Sequence, residues 1–266
     1  MNDLIRLYAR HWNIRNLTLQ TQSGPNYIAK GFQGEKHIVL KTSANARSLA
    51  QEARALRAFE GYGTVQLLAQ EAHALLLQCA DPGQSLCSLF PEKDHASILI
   101  TAACMKQLHT APLDPHFKTL ADRVAILAHE WAVPEHLLKK ARMLTKELLD
   151  TTPPAVMLHG DLHHSNIVRN NDAWLVIDPK GLIGDPTYEA AAFIVNPKPQ
   201  LIREPMIEKI LVDRIELFAQ KLHCEKARIA SWAYVHTILA WIWALEDGQN
   251  YTYWKEVAPR LNFLIR

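Results

Sequence analysis

Apolar and polar positions change rhythm near residue 80 of this 266-residue chain. Ahead of that point the pattern is mostly of period two. Leu17-Thr18-Leu19-Gln20, Tyr27 to Phe32 and His37 to Lys41 read as strands. Ser23-Gly24-Pro25 and Gln33-Gly34-Glu35 separate them, residue types that favour turns. From Asn45 to Glu60 the spacing becomes helical, with Leu49, Ala53, Leu56 and Phe59 on one side and Gly61 at the end. Val65 to Ala69 and Ala74 to Leu77 add two further strands. Five strands with one helix between the third and fourth predict a small α+β lobe.

Ala80-Asp81-Pro82-Gly83 reads as a linker, and the period beyond it is helical. Helices are predicted over Asp94 to His109, Phe117 to Trp131 and Pro134 to Leu149, and Pro153-Pro154 ends that run. The pattern turns β-like between Ala155 and Asp178, and helices return from Asp185 onward. Trp232 to Leu245 is the most apolar stretch. It falls short of the ~20 residues a membrane span needs and carries His236, so it reads as a core helix. The predicted organisation is a β-rich lobe over residues 1–80 and a larger, mainly helical lobe over 81–266.

Composition narrows the class of partner. With 48% apolar and 21% charged residues the chain is globular, neither disordered nor disulfide-stapled. A net charge of +2, from 29 basic and 27 acidic residues, excludes a surface built for nucleic acid or membrane. The four cysteines form no C-x-x-C pair, so reduced thiols are expected. MNDLIRLYAR has no apolar signal segment, and a cytoplasmic protein is expected.

The chemistry concentrates in Leu158-His159-Gly160-Asp161-Leu162-His163-His164-Ser165-Asn166, followed by Trp174-Leu175-Val176-Ile177-Asp178. Ile167 to Arg169 and Trp174 to Ile177 predict a hairpin closed by Asn170-Asn171-Asp172. Such a hairpin carries Asn166 and Asp178 to its open end, with Asp161 on the preceding loop. An amide and a carboxylate oxygen suit Mg²⁺, a hard ion that takes few protein ligands. Asp161 is then left to accept a proton from a hydroxyl nucleophile, the division of labour seen in kinase catalytic loops. The competing reading of the same segment is a zinc site built on His159, His163, His164 and Asp161.

The N-terminal lobe holds a second set of candidates. Lys41 ends the third predicted strand, and Glu52 shares a helix face with Leu49 and Leu56, so its carboxylate points inward. A buried acid needs a partner, and Lys41 is the natural one. There is no Walker A motif and no G-x-G-x-x-G; Ser23-Gly24 occupies the turn where a phosphate loop would lie.

The segment HGDLHHSNIV…WLVIDPKGLIGDPTYEAA resembles the aminoglycoside phosphotransferase superfamily. Asp178-Pro179-Lys180-Gly181 with Gly184-Asp185-Pro186 makes it similar to the streptomycin 6-kinase and hydroxyurea phosphotransferase branch. The resemblance implies a protein-kinase-like two-lobe α+β fold that binds ATP and Mg²⁺ in the interlobe cleft. It further implies Lys41 and Glu52 as the phosphate-binding pair, Asp161 as catalytic base, and Asn166 and Asp178 as magnesium ligands. Gln78, Cys79 and Ala80 would form the hinge that meets the adenine, and Asp185 would brace the catalytic loop. The absence of D-F-G and A-P-E motifs argues against protein substrates.

The expected reaction is transfer of the ATP γ-phosphoryl group to a hydroxyl of an aminoglycoside-like small molecule. Candidates for the acceptor wall are Glu189, Glu246, Asp247 and the aromatic group Trp241, Trp243, Tyr251, Tyr253 and Trp254. Carboxylates would neutralise guanidinium or ammonium groups, and aromatic rings would stack on sugars. The alternatives are a kinase of a neutral sugar or metabolite and a nucleotide-binding pseudokinase.

Overall fold

The computed structural model describes residues 3–23 and 26–265, so Gly24 of the candidate phosphate loop lies outside the described residues. The first part of the chain forms α1 (Asp3–His11), β1 (Ile14–Ser23), β2 (Asn26–Gln33), β3 (Lys36–Ser43), α2 (Ala46–Ala58), β4 (Leu67–Glu71) and β5 (Ala74–Gln78). β6 (Pro82–Ser85) precedes α3 (Asp94–Leu108), α4 (Leu120–Val124) and α5 (Glu135–Asp150). Next come β7 (Val156–Leu158), β8 (Ile167–Asn170), β9 (Ala173–Val176) and β10 (Leu182–Gly184). The last helices are α6 (Glu189–Ile194), α7 (Ile207–Leu222), α8 (Lys226–Glu246) and α9 (Thr252–Leu264).

Two compact units result: Met1–Gln84 with Val168–Gly181, and Ser85–Ile167 with Leu182–Arg266. The sequence pattern drew a single division after residue 80. Segment 168–181 groups with the first unit because its backbone is tied there. Val65 N–H donates to Val176 O at 3.0 Å, Val176 N–H to Gly63 O at 2.8 Å, and Asn171 N–H to Asp81 O at 2.5 Å.

The first unit is a five-stranded sheet in the order β1-β2-β3-β5-β4, its paired neighbours antiparallel. Successive side chains of a strand face opposite ways. In β5, Ala74 and Leu76 therefore join Ile5, Ile38 and Leu40 on one face, while Leu75 and Leu77 join Leu49, Ala53 and Leu56 of α2 on the other. α1 packs its amphipathic face on the first of these layers through Ile5. No strand or helix was read from that segment in the sequence. Its nine residues are too few to hold a helix without the sheet beneath.

The second unit is mainly helical. α8 is its spine: Ile229 to Ile242 is buried throughout, so the helix is apolar all round rather than amphipathic. The helix expected over 117–131 is shorter, α4 passing into a 3₁₀ turn at Ala125–Ala128. Thr119 and Asp122 cap the start of α4 reciprocally, which defines where it begins. The two-stranded β7–β10 pair frames the catalytic segment. A Cβ at Gly184 of β10 would stand 2.6 Å from Leu120 Cβ, so only glycine admits that approach of α4.

Candidate active site

In the first unit the alternation of β3 decides where Lys41 points. Val39 packs against the cluster that α2 covers, and Lys41 shares its parity. Glu52 lies on the α2 face that carries Leu49 and Leu56. The two side chains meet with Lys41 Nζ 2.7 Å from Glu52 Oε2, both nearly sealed from solvent. β9 brings in the third group. Leu175 and Ile177 pack on the same cluster, and Asp178 follows with Oδ1 2.9 Å from Lys41 Nζ. Asp178 sits in the left-handed region at φ 59°, a conformation that costs a non-glycine residue roughly 1–2 kcal/mol. Such strain persists where surrounding contacts impose it.

Lys180 completes the cluster, its Nζ also 2.9 Å from Asp178 Oδ1. Two lysines thus share one carboxylate oxygen. Burial alone would push the Lys41 ammonium down, yet Glu52 and Asp178 outweigh it and its pKa stands above the ordinary lysine value. Burial raises the Glu52 carboxyl, with the like charge of Asp178 adding to it against the pull of Lys41. Asp178 also meets a burial penalty, but Lys41 and Lys180 hold its carboxyl well below the usual range. The motif lysine two residues past Asp178 was the available signal for Lys180; its partner was not legible. Gln78, Cys79 and Ala80 lie at and just past the end of β5, where Gln78 N–H donates to Gln66 O at 2.9 Å.

In the second unit the segment after β7 is held by backbone contacts. Glu189, at the start of α6 and fully buried, accepts from His159 N–H at 2.5 Å and Gly160 N–H at 2.9 Å. Burial pushes this carboxyl up, but the neighbouring His109 and His159 and the Gly160 N–H outweigh it, and the net shift is downward. Asp161 N–H donates to His159 Nδ1 at 3.1 Å, and Asn166 Nδ2 donates to Asp161 O at 2.9 Å. The Asp161 carboxylate stays one-third exposed, with His163 Nε2 3.9 Å from its Oδ1. Asn166 donates through Nδ2, and its amide oxygen makes no hydrogen bond among the described residues. Amide and carboxylate oxygens are hard donors of the kind that magnesium takes.

The three loop histidines part company. His159 is buried beneath Asp161, and His163 flanks that carboxylate. His164 stacks on Phe193, centroids 3.8 Å apart, with Nε2 3.6 Å from Asp94 Oδ1. Among the described residues no group of three or more His, Cys, Asp or Glu side chains is placed to hold a metal, so the zinc reading finds no support. Asp94 is anchored in turn by Arg214, whose Nη2 and Nε donate at 2.7 and 2.8 Å. The same guanidinium donates to the carbonyls of Phe193, Ile194 and Asn196.

Asp185 was expected to brace the catalytic loop. Its carboxylate instead accepts from Thr187 at 2.7 Å, Arg228 Nε at 2.7 Å and Trp232 Nε1 at 2.7 Å, binding its own turn to α8. The brace of the loop is Glu189. That residue is therefore not an acceptor contact, contrary to the expectation from charge and position alone.

Asp161 opens onto a cavity of about 420 Å³ lined also by His163, Lys198, His236, Trp243 and Asp247. Trp254 borders it as well, with Lys198 Nζ 5.4 Å above its ring. Of the acceptor candidates, Trp243, Trp254 and Asp247 reach this cavity. Glu246, Trp241, Tyr251 and Tyr253 do not: Trp241 stacks on Tyr251 and Tyr253 hydroxyl donates to Val195 O, packing roles both. A proton acceptor beside a cavity with aromatic walls and one further carboxylate is an arrangement that can seat a hydroxylated, cationic ring compound.

Known proteins resemble this chain in sequence and in fold. Streptomycin 6-kinase of Streptomyces glaucescens is 26% identical over 223 residues, 79% of this chain and 71% of that relative. Streptomycin 3''-kinase of Klebsiella pneumoniae is 29% identical over 238 residues, 84% of this chain and 85% of that protein. Among solved structures, a thermostable mutant of aminoglycoside phosphotransferase APH(4)-Ia, in complex with ADP and hygromycin B, superimposes with a TM-score of 0.76 at 15% identity. That match covers 100% of this chain and 98% of the other, and the fold is thus the protein-kinase-like one. Residues 15–248 match the family described as aminoglycoside/hydroxyurea antibiotic resistance kinase, so the chain belongs to that family of phosphotransferases.

Proposed function

We propose that this protein transfers the γ-phosphoryl group of ATP to a hydroxyl of a streptomycin-type aminoglycoside, in the cytoplasm and with Mg²⁺ as cofactor. The observation that carries the proposal is Asp161 at the wall of the aromatic cavity, in a family of antibiotic kinases. Asp161 accepts the proton of the attacking hydroxyl and orients its oxygen. Trp243 and Trp254 offer faces to the acceptor's rings, and Asp247 a counter-charge to its cationic groups.

Lys41, kept charged by Glu52, binds the phosphates and offsets the charge that develops on the transferring group. Lys180 stands ready for the same work from the exposed side of Asp178. Asn166 and Asp178 are the proposed magnesium ligands, by the hard oxygen donors they present. An ion held by those residues would supply charge neutralisation for phosphate oxygens. Gln78, Cys79 and Ala80 are the proposed adenine-binding segment, which acts through backbone groups.

The test is ADP release with streptomycin, hygromycin B, hydroxyurea, choline and simple sugars as acceptors. Streptomycin-dependent turnover is expected. Asp161→Ala should lower it by about 10³-fold or more while nucleotide Kd stays within about threefold. Turnover confined to sugars, or an Asp161→Ala enzyme that still phosphorylates, would overturn the proposal.

A further inference from the structure

α8 carries one feature that its packing does not require. Ile229 to Ile242 is buried on every side, yet His236 stands in the middle of that apolar run. Burial of an imidazole without purpose is costly. The ring is 4% exposed, and it lines the cavity that holds Asp161.

Its protonation state follows from its neighbours. His236 Nδ1 lies 3.3 Å from the Tyr188 hydroxyl, which is itself completely buried. The Arg123 guanidinium lies 4.5 Å above the Trp243 ring, and its positive charge acts on both the Tyr188 hydroxyl and the imidazole. That positive charge favours the Tyr188 lone pairs on its own side and the phenol proton on Nδ1. A neutral imidazole that accepts at Nδ1 carries its proton on Nε2. Nε2 makes no hydrogen bond among the described residues and is not sealed from solvent, so it opens onto the cavity. Burial, joined by the positive charge of Arg123, holds the ring neutral by pulling its pKa down to about 4. A neutral donor suits a site that receives a cationic ligand, since an imidazolium would repel it.

We propose that His236 is a positioning residue for the acceptor, donating its Nε2–H to an acceptor oxygen near the hydroxyl presented to Asp161. Tyr188, biased by the charge of Arg123, sets the direction of that donor through its contact with Nδ1. The inference rests on the acceptor site assigned above and adds the polarity of one contact within it: an oxygen that accepts.

The experiment combines kinetics with nitrogen NMR. His236→Leu should raise the streptomycin KM about 10- to 100-fold with kcat within about threefold and ATP KM unchanged. His236→Gln, whose amide nitrogen can stand near the Nε2 position, should recover most of that loss. Tyr188→Phe should raise KM by about 3- to 10-fold through loss of the hydroxyl that orients the imidazole. In ¹⁵N-histidine-labelled protein, the resonance missing from His236→Gln should report a neutral ring protonated on Nε2 at pH 6, and saturating streptomycin should shift it.

An Nδ1-protonated or charged ring, an unmoved Nε2 resonance, or a folded His236→Leu enzyme with wild-type KM would overturn the inference. Wild-type protein that binds streptomycin with the expected shift but never phosphorylates it would instead overturn the proposed reaction and leave this contact standing.

Discussion

Two buried glutamates serve the two units in opposite ways. Glu52 is paired with a side chain, Lys41, and shares it with Asp178. Glu189 is paired with backbone, taking the N–H groups of His159 and Gly160. Their carboxyls shift in opposite directions, Glu52 up and Glu189 down. The contrast lies in what each carboxylate holds. Glu52 holds the Lys41 ammonium in a sealed cluster, where burial and the like charge of Asp178 outweigh the pull of that partner. Glu189 fixes the path of a loop, so every partner favours its ionised form. One acid keeps a cation in readiness for a ligand; the other completes the fold around Asp161.

Mutation should separate the two roles. Lys41→Met removes the shared cation and leaves Glu52 and Asp178 facing one another. A fall in kcat/KM of about 10²- to 10³-fold is expected by steady-state kinetics. A stability loss on the order of 3–5 kcal/mol should accompany it in denaturant unfolding, because a buried charge loses its partner. Glu189→Gln keeps one acceptor for two N–H donors and should cost about 2–4 kcal/mol, with catalysis falling because the loop loosens. Glu52→Gln is the informative counterpart. It should cut turnover about 10- to 100-fold while Tm moves by only a few degrees. If Glu52→Gln proves as destabilising as Glu189→Gln, the division of labour between the two is wrong.

Acid sharpens the comparison further. His164 and His236 are both buried and drawn down to about 4 from an ordinary 6.5. Between those values the unfolded chain binds protons that the folded chain refuses, so stability falls as pH drops from 6.5 toward 4. The slope is on the order of 1.4 kcal/mol per pH unit for each histidine. Glu189 acts in the same sense below 4.5, whereas Glu52, raised on folding, acts against it. Melting curves from pH 7 to 4 should show the decline, and His236→Gln should flatten it. The smallest effect belongs to Lys180, whose ammonium is more than one-third exposed. Lys180→Ala should weaken nucleotide binding about 3- to 10-fold in calorimetry and leave Tm within a degree or two.

The site residues that sequence reasoning named fall into two kinds. Lys41 and Glu52 were legible because each rests on a local period. One is the strand-like run His37 to Lys41, which Lys41 ends, the other the helical face of Leu49 and Leu56. Asp161, Asn166 and Asp178 were legible through spacing in one contiguous motif. The role of Glu189 was not. Its carboxylate meets a loop 30 residues earlier in the chain, and no period connects them. His236 was visible in the sequence only as the polar interruption of an apolar helix, an argument against a membrane span. Among the described residues no helix is long and apolar enough to cross one. Helix α1 was missed for a related reason: its face is defined by the sheet it covers.

Local order along the chain was enough to establish a β-rich segment, a helical remainder and a charged motif within that remainder, because hydrophobic period and turn chemistry act over a few residues. Packing decided the rest. It chose Glu189 as the clamp and Asp185 as the tie to α8. It brought Trp243, Trp254 and Asp247 to the cavity while sending Trp241 and Tyr253 into the core. It also turned one histidine of a buried helix toward Asp161. Those choices depend on which side chains meet across dozens of residues. Their energies come from burial and from satisfying every sealed polar group at once, conditions that exist only in the folded unit.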